Sequence, residues 1–146
     1  MDEPDLTYVC DVQSFRPAQT RDVRWLDIEE DFAVLQHFHE TRDPSREPFT
    51  WADAVNWKAS GFTDAGIIEG GVLVSRAALW TYSEDAWELA GVFTIPTARG
   101  AGRARSACTF VTSAILQAGK LAACHTDPGN VAMRRVAESL GYKLIS

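Results

Sequence analysis

The sequence predicts a mixed α/β domain around a single sheet, in the order β-α-α-β-β-β-α-β-α-β behind one extra extended segment. Three observations carry that expectation. Helical and strand-like periodicities alternate along the chain instead of segregating into blocks. Gly70-Gly71 separates two strand-like runs and signals a hairpin. A long helical pattern over residues 101–118 follows a strand stopped by Pro96.

Residues 6–15 (LTYVCDVQSF) are rich in strand formers and read as extended, with a polar connector to Arg21. A short strand follows at 23–26. Asp27 and Glu30 make a capping-box pattern, and Phe32, Leu35 and Phe38 have helical spacing, so a helix is expected from Asp27. Two prolines in 41–48 end it. Thr50 then caps a second helix over 50–60, with Gly61 just past its end. Strands are expected at 64–70, 71–83 and 86–95. In the helix of 101–118, Ala104, Ala107, Cys108, Val111, Ala114, Ile115 and Ala118 share one face, and Gly119 follows it. Residues 121–126 read as a short buried strand. Asn130 caps a helix that turns Met133, Val136, Ala137 and Leu140 inward, and Gly141 opens a last strand.

At 46% apolar and 23% charged, the chain suits one domain with a proper core. The N-terminus is acidic where a secretory signal is basic, and no apolar run approaches the roughly 20 residues of a membrane span, so a cytoplasmic protein without a membrane partner is expected. Cys10, Cys108 and Cys124 are odd in number and lack CxxC spacing, which favours buried free thiols over a disulfide framework or zinc. His37 and His39 point to different sides of a helix and read as a solvated face, so no metal is expected. Charge is uneven. Residues 1–73 carry 15 acids and 6 bases, net −9, and residues 74–146 carry 5 acids and 8 bases, net +3. The total of −6 argues against nucleic acid as the partner.

The basic patch of the second half is concentrated in ARGAGRARSAC, residues 98–108, where Arg99, Arg103 and Arg105 surround Gly100 and Gly102. It follows a strand and opens a helix, where backbone N–H groups lack intrahelical partners and the helix dipole is positive. Glycine lets an anion approach the main chain, and arginine adds charge-assisted contacts. The pattern therefore reads as an oligophosphate cradle. It lacks the Gly-Lys-Ser/Thr of a Walker loop, and Arg105 stands where a dinucleotide fingerprint has its third glycine.

VFTIPTARGAGRA, residues 92–104, resembles the signature of the GCN5-related N-acetyltransferase (GNAT) superfamily: a strand, a proline-bearing link, then Arg/Gln-x-x-Gly-x-Gly/Ala opening a long helix. Arg99, Gly102 and Ala104 match it. NVAMRRVAESLGYK, residues 130–143, is similar to the second signature at Asn130, Leu140, Gly141 and Tyr142, with Met133 where a small residue is usual. The resemblance covers residues 22–146, one acyltransferase domain, with residues 1–21 as an extension supplying an extra strand or sheet-edge segment. It implies a mostly antiparallel central sheet, about four flanking helices and a splayed parallel strand pair in the middle. It further implies acetyl-CoA as co-substrate. Its pantetheine arm would pair with Val92, Phe93 and Thr94. Its pyrophosphate would lie on the amides of Arg99, Gly100, Ala101, Gly102, Arg103, Ala104 and Arg105, with Asn130 nearby.

The implied activity is direct transfer of acetyl to a primary amine in a ternary complex. Glu88 lies eleven residues ahead of Arg99, the offset of the glutamate base in histone-acetylating relatives, and its neighbours Trp87 and Leu89 would desolvate it and raise its pKa. The general acid is less evident, because Ala137 occupies the position where many relatives carry tyrosine; His125 and Tyr82 are the stand-ins. Tyr142 reads as packing. Acceptor choice in this fold comes from the first two helices, about 27–60, where Asp43, Glu47, Asp53, Phe49, Trp51 and Trp57 suit an amine, although the tryptophans also read as core or hairpin cover. The implied acceptor is a small-molecule or peptide amine. The alternative is a degenerate relative that binds acyl-CoA as sensor or scaffold. The family adds a strand beyond the one ending here at Ser146, so residues 6–15, or a strand from a partner in a homodimer, are expected to complete the sheet edge.

Overall fold

The computed structural model describes residues 4–20 and 22–146. Met1, Asp2, Glu3 and the expected domain boundary at residue 21 lie outside the described residues. The elements are β1 (Leu6–Cys10), β2 (Val23–Trp25), α1 (Phe32–Arg42), α2 (Trp51–Ala59), β3 (Phe62–Glu69), β4 (Val72–Trp80), β5 (Ala86–Thr94), α3 (Arg103–Gln117), β6 (Leu121–Thr126), α4 (Val131–Ser139) and β7 (Lys143–Leu144), in the expected order. The strands form one seven-stranded sheet in the order β2-β3-β4-β5-β6-β1-β7. Every pairing is antiparallel except the central one between β5 and β6.

Local chemistry accounts for most boundaries. Gly70 and Gly71 both have positive φ, 58° and 77°, the geometry of a two-residue turn that matches strand twist, and they join β3 to β4. Thr50 and Asp53 form a reciprocal capping box on α2. The expected start of α1 at Asp27 is corrected. The Asp27 carboxylate accepts from the amides of Glu29 (2.7 Å) and Glu30 (3.2 Å), which builds a turn, and the helix begins at Phe32. Short acidic side chains offer the backbone this alternative to a helix. The extended reading of 6–15 also shortens. Asp11 accepts from the amides of Gln13 and Ser14 and closes a turn directly after Cys10.

β1 does complete the sheet, but from the inside. Leu6–Cys10 pair with Thr126–Ala122 of β6 on one side, and Tyr8 and Val9 pair with Leu144 and Lys143 of β7 on the other. The edges are β2 and β7. An interior strand needs apolar residues where it meets the core, and Tyr8 and Cys10 are buried there.

Two helical layers sandwich the sheet unequally. On one face, Ala107, Cys108, Val111 and Ile115 of α3 and Met133, Ala137 and Leu140 around α4 pack on Tyr8, Cys10, Ala77, Leu79, Leu89, Ala122 and Cys124. Full burial of side chains such as Val111 or Ile115 stabilises by about 1.5–3 kcal/mol each. Tyr142 lies in this core, its hydroxyl 2.7 Å from Thr112 Oγ1. On the other face α1 packs on β4 and α2 on β3, with Leu35, Phe38, Phe49 and Ala54 against Leu26 and Leu73. α1 also reaches β5, where Phe38 and Arg42 meet Phe93, while the main contacts of both helices leave the β6-β1 part of their face uncovered, with His125 exposed there. The three cysteines are buried free thiols, and desolvation pushes Cys124 up to about 12. No helix of the described residues is long and apolar enough to cross a membrane.

Candidate functional site

The parallel pairing of β5 with β6 runs from Ala86↔Leu121 to Glu88↔Ala123 and stops there. Beyond it the two strands part. β5 is redirected by a bulge in its pairing with β4, where the register shifts between Arg76 and Ala78 and Gly91 takes φ 58°. An extra residue in one strand bends it and strengthens its twist. The main chain of Val92–Thr94 thereby becomes one wall of a cavity of about 490 Å³.

The opposite wall is α4, through Ala132, Met133 and Val136, and the end is the turn between Ala98 and α3. Ten of the eleven residues that the resemblance assigns to the co-substrate line this cavity: Val92, Phe93, Thr94, Arg99, Gly100, Gly102, Arg103, Ala104, Arg105 and Asn130. Ala101 lies in the same turn, exposed, but outside the lining. Among the described residues the amides of Gly100 to Arg105 donate to no main-chain acceptor. Gly102 stands immediately before α3 with φ 80°, and a Cβ added to it or to Gly100 would meet only open space. The turn is thus a ring of free donors at the positive end of a fifteen-residue helix.

Two of the three arginines around the turn are tethered. Arg99 Nε donates to the Thr94 carbonyl (2.9 Å), and Arg103 forks onto both oxygens of Glu69 (2.9 and 3.0 Å) while its Nη1 donates to the Ala98 carbonyl. They shape the turn as much as they charge it. Asn130 accepts from the Met133 amide at 3.1 Å, so it caps α4 while lining the cavity.

Glu88, His125 and Tyr82 do not line the cavity. Strand alternation puts Leu89 in the α3 core and Glu88 on the uncovered face, next to Trp80 of β4 and Ala123 of β6. His125 is two residues beyond Ala123 on the same face, and its Nδ1 is 2.7 Å from Glu88 Oε1. Glu88 is 9% exposed, whereas the His125 side chain is 38% exposed. Desolvation raises the Glu88 pKa above the usual carboxylate value, and the hydrogen bond from His125 opposes it. With Glu88 ionised, the Nδ1–H donates to it. Tyr82, 44% exposed, is held up first by desolvation and then by the Glu88 charge, so its hydroxyl stays protonated at neutral pH. It ends a row of rings, Trp57–Phe62–Trp80–Tyr82, the first three stacked and Tyr82 tilted, with centroids 3.7 to 4.9 Å apart.

The acids expected to face an acceptor are engaged locally. Asp43 bonds Ser45, and Asp53 completes the α2 cap; Glu47 is exposed. Phe49 is buried and stacks on His39, Trp51 packs edge-on to Phe32, and Trp57 covers Phe62. His37 is exposed and His39 buried, on different sides of α1. Two residues were missed in the sequence. Gly91 interrupts a strand pattern, a bulge signal, and Arg76 is the one charge inside the apolar run of β4.

Residues 64–146 match the model of the FR47-like protein family. No curated protein sequence matches the chain. Among solved structures it is similar to a GNAT-family acetyltransferase from Colwellia psychrerythraea, with TM-score 0.79 and 18% identity, covering 97% of this chain and 53% of that one. It is likewise similar to a GNAT-family protein from Novosphingobium aromaticivorans, with TM-score 0.75 and 22% identity, covering 97% of this chain and 60% of that one. The chain thus spans little more than half the length of these two. The fold also matches AAC(6')-Iy in complex with a CoA-S-monomethyl-acetylneamine bisubstrate analogue, with TM-score 0.67 and 18% identity, over 84% of this chain and 90% of that one. The strand that parts from its parallel neighbour, the glycine turn before α3 and the match over more than half its length place the chain in the FR47-like family of the GNAT superfamily.

Proposed function

We propose that this domain is an acetyl-CoA-dependent N-acetyltransferase acting on a primary amine. The observation that carries the reading is the free-donor turn that follows β5, together with the Glu88–His125 pair where β5 and β6 stop pairing. The residues of the cavity fit coenzyme A: unpartnered amides for its pyrophosphate, open space over Gly100 and Gly102, and the main chain of Val92–Thr94 for its pantetheine arm. AAC(6')-Iy, which shares the fold, is in complex with a CoA-S-monomethyl-acetylneamine bisubstrate analogue, and this supports a coenzyme A site in such a fold. Acetyl-CoA supplies the acetyl group as a thioester.

Chemistry on the uncovered face requires a neutral amine. Glu88 removes the ammonium proton, directly or through water, and its burial tunes it toward that task. His125 holds the carboxylate in place and links it to solvent. The amine nitrogen then bonds to the thioester carbonyl carbon, the carbon–sulfur bond breaks, and the nitrogen gives up its second proton as the thiolate takes one, both through Tyr82 or water. The domain comprises residues 22–146, with β1 supplied by the extension, in a cytoplasmic protein.

Incubation with acetyl-CoA and a panel of amines, following free thiol, tests this. Amine-dependent thiol release is expected. Tight CoA binding with no release across peptide N-termini, lysine, polyamines and aminoglycosides would instead identify an acyl-CoA-binding sensor or scaffold.

A further inference from the structure

Arg76 is completely buried in the middle of β4. Its guanidinium carbon lies 5.3 Å from the ring of Phe38 on α1 and 5.5 Å from that of Trp57 on α2. Nη1 is 3.5 Å from Asp64 of β3, itself buried and bonded by Trp57 Nε1. Neither terminal nitrogen has a hydrogen-bond partner among the described residues. The one hydrogen bond this side chain makes runs from Nε to the carbonyl of Gly91, at 2.9 Å. A buried cation that directs its single bond at the bulge is placed there for the bulge, because a bulged residue has no partner in the strand ladder for its main-chain groups. A Cβ on Gly91 would approach Arg76 Nη2 to 2.9 Å, so glycine and arginine fit only as a pair.

We infer that Arg76 is a positioning residue for the proposed coenzyme A site: by holding the Gly91 carbonyl it fixes the bulge that turns Val92–Thr94 into the cavity. It lines no part of the cavity. It lies against the rings of α1 and α2, but its one hydrogen bond goes to β5, the strand of the cofactor side. The inference rests on the proposed function, and its test separates the two.

Removing one member of a buried ion pair strands the other, so the informative variant removes both, Arg76→Met with Asp64→Asn. Calorimetric CoA titration, steady-state kinetics and amide hydrogen exchange of Gly91–Thr94 are measured on it and on the native chain. The expected result is a folded protein whose CoA affinity falls at least tenfold, whose acetyl-CoA KM rises while the acceptor KM stays within twofold, and whose Gly91–Thr94 amides exchange at least fivefold faster. Unchanged CoA affinity and unchanged exchange would overturn the inference and leave a structural ion pair. If the double variant does not fold, Gly91→Ala, which leaves Arg76 and Asp64 in the chain while its Cβ crowds Arg76 Nη2, is expected to weaken CoA by the same order, and native affinity there overturns it. If the native chain binds no CoA, the proposed function fails, and the exchange measurement in the free protein still decides the role of Arg76.

Discussion

Nδ1 of His125 lies 2.7 Å from Oε1 of Glu88, at the last point where β5 and β6 are still paired strand to strand. One partner is buried and the other reaches solvent, so the pair connects a desolvated carboxylate to the open face.

Replacing Glu88 with Gln keeps the shape and removes the base. Amine-dependent kcat/KM should fall by roughly 10²–10³, the usual worth of a positioned base, with CoA affinity unchanged in calorimetry. In the native protein kcat/KM should rise with pH through a folded-state pKa above the ordinary carboxylate value, because burial disfavours the ionised form that works. A profile already flat from pH 4 upward would remove Glu88 from the role.

The same burial has a stability consequence of opposite sign. A carboxyl whose folded pKa is raised carries no penalty below its unfolded pKa, and the penalty grows as pH rises through the folded value. Glu88→Gln is therefore expected to melt higher than the native chain at pH 7 and level with it at pH 4. Equal melting temperatures at both values would contradict this.

His39 should make the fold acid-sensitive. It is buried against Phe49 with Nδ1 unpartnered, and desolvation, followed by the charges of Arg76, Arg42 and Arg46, lowers its pKa from 6.5 to about 4. A depressed histidine costs nothing above its unfolded pKa and destabilises as pH falls through the window from 6.5 to about 4. Denaturant melts should show His39→Phe gaining on the native chain by at most about 3 kcal/mol across that window. A constant difference between the two proteins would locate the sensitivity elsewhere.

Gly102→Val places a branched side chain in the open space over the turn and in a positive-φ conformation. CoA affinity is expected to drop at least a hundredfold. Gly70→Ala meets comparable backbone strain in the β3–β4 turn, with nothing within 4 Å of its Cβ, and serves as the control that keeps full affinity. Parallel loss of affinity in both would mean that strain, not occupancy, is responsible.

Tyr142→Phe tests a tyrosine of the second signature. Its hydroxyl bonds Thr112 within the core, so the change should cost about 1–2 kcal/mol of stability in urea melts and leave kcat within twofold. A large fall in kcat would reassign the residue to the chemistry.

The glycine turn and Asn130 were legible because both act through main-chain geometry that follows from local sequence. Glycine permits the positive φ before α3, and asparagine caps α4. The meeting of Glu88 with His125 was not legible as a contact. It depends on the register of a parallel pair whose strands are joined through α3, and periodicity fixes faces but not registers. Asp27 misled because an aspartate before a helical pattern can cap the helix or close a turn ahead of it, and the carboxylate of Asp31, taken by Arg24, decides between them. Arg76 was passed over because one arginine in an apolar strand does not reveal that Gly91 faces it.

The insertion of β1 between β6 and β7 ties the assembly of the sheet to its most distant parts. Leu6–Cys10 precede every other element, yet their hydrogen-bonding partners lie beyond α3 and α4. Until they dock, β6 presents a bare edge and β7 has nothing to pair with. The loop to be closed is the longest in the domain, and contacts of such separation set slow folding rates. The segment that backs His125 through Thr7 is therefore also the clasp on which the timing of folding depends.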